Sequence, residues 1–194
     1  MDNSIIPIIT ELERVYDVLV KQFNLKQDRP LITVQTKGRS KQILGWHWVD
    51  GWERGKKTIS EINICAEDLN KNPIETLIHE MVHHSNACDK IEDCNNSGYH
   101  NKTFKKTAES YGLNVNKMGR HGWADTSLSD DLQIKLKNLK IDYKVFELYR
   151  KTHLHITAPT KMKKWSCGCT VIRCATRLDA KCNLCHNDFK QEEE

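Results

Sequence analysis

No stretch of this 194-residue chain approaches the ~20 consecutive apolar residues that a membrane helix requires. The longest one near its start, Ser4 to Thr10, is far shorter. Met1-Asp2-Asn3 lacks the basic n-region of a secretory signal, so export is not expected. Neither sign of charge dominates: thirty Lys/Arg against twenty-six Asp/Glu leave +4, too mild by itself to announce nucleic acid. No internal repeat is visible. A membrane protein and a secreted precursor are thereby disfavoured. So is a disordered chain, because 38% apolar residues suffice for a core of ~100–150 residues.

What is present is unevenly spread. Without an export signal, eight cysteines point to metal ligands or reduced thiols rather than to a disulfide framework. Five of them, Cys167, Cys169, Cys174, Cys182 and Cys185, crowd into one short segment. From Lys161 to Lys190 there are seven Lys/Arg and two acidic residues, followed by Glu192, Glu193 and Glu194. The expected organisation is a globular body, residues 1–157, and a basic, cysteine-rich appendage with an acidic tail, residues 158–194. Thr157-Ala158-Pro159-Thr160 reads as the linker.

Within the body, Ile8, Leu12, Val15, Leu19 and Phe23 recur at helical spacing after Pro7. Leu31–Thr36, Ile43–Val49 and Thr58–Cys65 read as strands, with turn signals at Lys37–Ser40 and Asp50-Gly51. Short connections favour an antiparallel sheet. A second helix starts at Asn72 and Pro73, with Glu75 placed for a capping box and Ile74, Leu77, Ile78, Met81 and Val82 as its core face. A third spans Lys102–Tyr111 before Gly112, with Phe104 and Ala108 inward, and a fourth spans Ser129–Leu139. Tyr143–Thr157 is undecided between helix and strand. The fold class expected is α+β.

The most informative residues are His79-Glu80-Met81-Val82-His83. On a helix, positions four apart share a face, so two imidazoles there can grip one Zn²⁺ while Glu80 serves as general acid/base. A catalytic zinc keeps three protein ligands. A metzincin would need His six residues after His83 and Gly three after it, but those positions hold Asp89 and Asn86. His100 is the leading third ligand, because imidazole suits zinc and His100 opens the next helix. Glu109 and Cys65 are the alternatives. His84 reads as a solvated neighbour, and His121 either polarises a substrate carbonyl or caps a turn. A strand edge at Glu61–Cys65 could pair with an extended substrate.

In the appendage, Cys167-Gly168-Cys169 and Cys182-Asn183-Leu184-Cys185 form two knuckles that can supply four thiolates to a closed structural Zn²⁺ site. Cys174 could replace Cys169 but fits a strand position better. Lys161, Lys163, Lys164, Arg173, Arg177 and Lys181 surround this ribbon, with Trp165 among them. Cations neutralise phosphates and an indole can stack on an unpaired base, so these residues are candidate nucleic-acid contacts.

The helix motif, the later Tyr99-His100-Asn101-Lys102-x-Phe104 and the C-terminal ribbon, in that order, resemble the SprT-like (Spartan-type) zinc metalloproteases. Gly45-Trp46-x-Trp48 and Glu61-Ile62-Asn63-Ile64 are similar to sheet segments of bacterial and phage members. The resemblance implies a minigluzincin-like core with a small antiparallel or mixed sheet packed on helices, followed by a zinc ribbon. It implies His79, His83 and His100 as zinc ligands, Glu80 as general acid/base, and a protein or peptide substrate, DNA-associated proteins among them. It also implies a cytoplasmic setting in a bacterial or phage-infected cell, associated with the nucleoid. Cys88–Cys94 departs from the family and reads as a variable surface loop with reduced thiols. Two other functions compete: a non-catalytic DNA-binding adaptor with two structural zincs, and a deformylase-like amidase. An intact Glu80 argues against the first, and the context of Cys65 against the second.

Overall fold

The computed structural model describes residues 3–38, 43–151 and 162–192. The expected linker, the boundary at 157/158 and Lys161 lie outside them. The chain divides into two compact units, residues 1–152 and 153–194. No helix among the described residues is long and apolar enough to cross a membrane.

The first unit is α+β. Helix α1 (Ile6–Gln22) buries Ile8, Leu12, Val15 and Leu19, the stripe that its periodicity predicts. Three strands follow: β1 (Leu31–Gln35), β2 (Gly45–Arg54) and β3 (Lys57–Cys65). Their spatial order is β1-β3-β2, with β1 parallel and β2 antiparallel to β3. The sheet is therefore mixed rather than antiparallel. β3 takes the middle because Glu61–Cys65 are buried at every position, which only a strand covered on both faces and paired on both edges satisfies. The expectation of a free edge at Glu61–Cys65 is thus overturned; among the described residues β2 is the outer strand on that side.

Asp50-Gly51 is not the turn that its composition suggests. It sits in a bulge within β2, where the register to β3 shifts between Trp48 and Trp52, and the reversal comes at Gly55-Lys56. Gly55 takes φ +65° at the first central position of that two-residue turn, a backbone conformation glycine adopts without a Cβ clash.

Helix α2 (Pro73–Cys88) packs Ile74, Leu77, Ile78, Met81 and Val82 into the core. Asn72 makes no side-chain cap; its amide donates to Glu75 Oε2 at 2.9 Å. Helix α3 (Lys102–Ser110) is capped by Asn101, whose side chain accepts from the amides of Thr103 and Phe104. A two-stranded hairpin, β4 (Leu113–Asn116) with β5 (Asp125–Leu128), went unpredicted because each strand is only four residues long. Ser129 caps α4 (Asp130–Asn138). The undecided segment begins as a short 3₁₀ turn, Tyr143–Glu147, that buries Phe146.

The second unit is a three-stranded ribbon, β6 (Lys163–Ser166), β7 (Val171–Cys174) and β8 (Lys190–Gln191), in the order β7-β6-β8.

Candidate functional site

Glu75, His79 and His83 lie at i, i+4, i+8 on the face of α2 opposite its core stripe, so helical geometry alone brings the two imidazoles to one side. The third comes from a loop. His100 is tied by backbone bonds on both sides: its N–H donates to His121 O at 3.0 Å and its carbonyl accepts from Trp123 N at 3.0 Å. Gly122 makes this possible, since any Cβ there would collide with the His100 carbonyl. His100 Nε2 consequently sits 3.2 Å from His79 Nε2 and 3.0 Å from His83 Nε2. The ligand atoms of all three lie within 4.8 Å of one another, a group able to hold a metal ion. Phe104 forms the floor, its ring centroid 4.7, 4.7 and 4.6 Å from those of His79, His83 and His100.

Each Nδ1 is engaged: with Thr126 Oγ1 at 3.1 Å for His79, Asp93 Oδ2 at 2.9 Å for His83, and the Gly98 carbonyl at 3.2 Å for His100. A carboxylate and a carbonyl only accept, so His83 and His100 keep their protons on Nδ1 and turn bare Nε2 lone pairs toward each other. Such lone pairs repel unless a cation lies between them, and this donor set suits one. Burial, with the neighbouring imidazoles, holds His79 well below the ordinary histidine pKa and His100 down at about 4. Burial also opposes a charge on His83, but the Asp93 carboxylate outweighs it and raises that pKa. The Asp93 carboxylate that favours positive charge on His83 also favours a cation bound at its Nε2.

Asp93 was not anticipated. It lies in the Cys88–Cys94 segment taken for a variable loop, yet its carboxylate is buried and also accepts from Asn86 Nδ2 at 2.8 Å. Asn86 in turn accepts from Thr107 Oγ1 at 2.9 Å, which ties the loop to α2 and α3. Thr126 was missed for a related reason, because its strand was. The available signal for Asp93 was an acidic residue a short loop away from a candidate ligand helix.

Glu80 is only 5% exposed and borders the cleft. Burial, reinforced by the charge of Asp93 and opposed by His83, pushes its carboxyl up to about 7, within the range of a proton shuttle near neutrality. Gly45 of β2 clears the space beside it: a Cβ there would stand 2.6 Å from Asn63 O, 2.7 Å from Thr76 Cγ2 and 3.2 Å from Glu80 Oε1. The cleft encloses about 1010 Å³. Its described lining includes Glu75, Glu92 and Asp125 but no Lys or Arg.

Compared with known protein families, curated proteins and solved structures, the chain matches none.

The alternative third ligands fall outside the cluster. Glu109 is exposed and pairs with Lys105 at 3.6 Å, and Cys65 is buried in the sheet with its thiol pushed up to about 12 by that burial. His84 is not solvated. It is 1% exposed, with Nε2 2.7 Å from the Asp28 carbonyl and Nδ1 3.2 Å from His47 Nε2, because the loop before β1 and strand β2 close over it. His121 borders the cleft and supports His100 through its carbonyl.

In the second unit, Cys167, Cys169, Cys182 and Cys185 bring four sulfurs within 4.8 Å of one another, a second group able to hold a metal ion. The amides of Cys185 and Leu184 face the Cys182 sulfur and pull its thiol down to about 6, toward the thiolate a metal requires. Cys174 lies outside this group, on β7. Trp165, expected to offer its ring to a base, is instead buried, 7% exposed, at a position paired with Ile172 of β7. Lys163, Arg173 and Arg177 are exposed, and Lys164 is paired with Glu192 at 2.5 Å.

Proposed function

We propose that this chain is a zinc-dependent endopeptidase of the SprT-like kind, with a minigluzincin-like core and a zinc ribbon, and that Glu80 is its general acid/base. The observation that carries the reading is the convergence of His79, His83 and His100 Nε2 beside a buried Glu80 in one cleft. Neither of its competitors explains a raised carboxyl at that position. A Zn²⁺ ion bound by the three imidazoles supplies Lewis acidity toward water and the substrate carbonyl. Asp93, Thr126 and the Gly98 carbonyl hold the imidazoles in the tautomer that binds it. Glu80 accepts a proton from the attacking water and delivers it to the leaving amine, with a pKa near the operating pH. The outer edge of β2 along the cleft, at Gly45–His47, suits an extended peptide backbone. Glu75, Glu92 and Asp125 favour cationic side chains around the scissile bond, in keeping with basic, DNA-associated proteins as substrates.

The Cys167/Cys169/Cys182/Cys185 group holds a second, structural Zn²⁺ in this reading. Exposed Lys163, Arg173 and Arg177 leave the ribbon a phosphate-neutralising role without a stacking ring.

The test combines metal analysis with peptide hydrolysis. Intact protein should carry two zinc ions per chain. Glu80→Gln should keep both while hydrolysis falls by roughly 10²–10⁴-fold. His100→Ala should lose one ion and Glu109→Ala neither. Undiminished cleavage by Glu80→Gln, or a single zinc in the intact chain, would refute the reading.

A further inference from the structure

The bulge in β2 has a geometric result. Trp46, Trp48 and Trp52 stand opposite Asn63, Glu61 and Ile59 of β3, which are successive residues on one face of that strand. The bulge adds two residues to β2 between Trp48 and Trp52, so Trp52 keeps the face of Trp48 and pairs with Ile59, the next same-face residue of β3 after Glu61. In this register, three indoles line one side of the sheet at intervals of ~6.8 Å, two residues of strand rise. Arg54 continues the row, and Lys57 stands directly across from it. Glu53, opposite Thr58, falls on the other face. Among the paired positions of the row the carboxylate is Glu61, which is 2% exposed and accepts from Thr33 Oγ1, Gln35 Nε2 and Trp46 Nε1, while exposed Asp50 lies in the bulge between Trp48 and Trp52.

Two of the rings are open to solvent: Trp48 is 60% exposed and Trp52 43%. Large exposed aromatics in neighbouring register positions are costly unless they have a partner. Trp48 is also held in place, since a Cβ on Gly51 would lie 3.1 Å from its ring atoms, so the bulge backbone braces the indole.

We infer that Trp48 and Trp52, with Arg54 and Lys57, form a strip that binds single-stranded nucleic acid. Indole faces stack on bases of any sequence, and the adjacent guanidinium and ammonium neutralise phosphates. The ~6.8 Å interval is twice the ~3.4 Å spacing of bases within a duplex strand, so the rings engage bases that have come apart, not a continuous helix. The cations at the end of the row select a polyanion over a neutral sugar or an apolar protein surface. This strip belongs to the first unit and does not depend on peptide hydrolysis or on the ribbon.

The test measures binding of a fluorescein-labelled oligothymidylate and of a labelled duplex to the full chain by anisotropy, with quenching of tryptophan emission as a second readout. Trp48→Leu and Trp52→Leu should each weaken single-strand binding by about 5- to 150-fold, the worth of one base–aromatic stack. The corresponding Phe variants keep a ring and should retain most of the affinity. Both positions are exposed, so circular dichroism and zinc content should match the parent. Arg54→Glu with Lys57→Glu should flatten the salt dependence by about 1.4 in log–log slope, because two phosphates are no longer neutralised. Equal losses for Leu and Phe, equal effects on duplex, or quenching by an oligosaccharide but not by the oligonucleotide would each overturn the proposal. So would loss of single-strand binding only on Arg173→Glu with Arg177→Glu, which would assign the nucleic acid to the ribbon and leave the proteolytic reading untouched.

Discussion

Asp93 offers the sharpest test of how the candidate centre is built. Its Oδ2 accepts from His83 Nδ1 at 2.9 Å and from Asn86 Nδ2 at 2.8 Å, and Asn86 is itself anchored to Thr107. Replacing Asp93 with Ala therefore acts twice. It frees the His83 ring to change tautomer and orientation, and loss of such an outer partner weakens metal binding by about 10- to 100-fold, or ~1.4–2.7 kcal/mol. It also strands the Asn86 amide in a site where that residue is 2% exposed, at a cost to folding of ~1–3 kcal/mol. Asp93→Asn separates the two effects. With its oxygen kept at the Oδ2 position, the amide still accepts from both His83 and Asn86. Folding should then recover while metal affinity recovers only in part, since the negative charge is gone. The assay is competition for Zn²⁺ against a chromophoric chelator, with thermal unfolding alongside and the exposed Glu92→Ala as control. The ribbon's thiolate site serves as an internal reference. If Asp93→Ala binds its weaker zinc as tightly as the parent, the carboxylate does not orient His83 and the reasoning fails.

Gly45→Ala should force β2 away from α2, because its methyl would meet Asn63, Thr76 and Glu80 at 2.6, 2.7 and 3.2 Å. At ~1–3 kcal/mol for overpacking, the melting temperature should drop by about 2–12 °C with hydrolysis impaired, and an unchanged melting curve would show that the strand has slack. Cys182→Ser with Cys185→Ser should release one of two zinc ions and expose the second unit to limited proteolysis while the first stays resistant; release of both ions would contradict two separate sites. Glu75→Gln with Asp125→Asn should lower kcat/KM about 2- to 30-fold for peptides with Lys or Arg beside the scissile bond, and not for neutral ones. Equal losses on both peptides would rule out charge selection by the cleft.

Local sequence determined what depends on local spacing. The apolar periods of α1 and α2, the one-sided placement of His79 and His83, and the paired cysteine knuckles all follow from the geometry of a helical turn or a short loop. Nothing beyond those segments is needed to read them. His100 was nominated from its chemistry and its place before a helix, but its position is held by backbone bonds to His121 and Trp123, made across a turn whose glycine alone permits them. Only the tertiary structure decided the rest. β3 occupies the centre because burial on both faces is a property of the assembled sheet, and Asp50-Gly51 is taken up in a bulge because β2 continues its pairing with β3 as far as Arg54. Asp93 became a partner of His83, His84 was sealed beneath Asp28 and His47, and Trp165 was buried. In each of these a polar or aromatic side chain finds its surroundings in residues outside its own helix, strand or loop, and the free energy of that meeting is written in no single element.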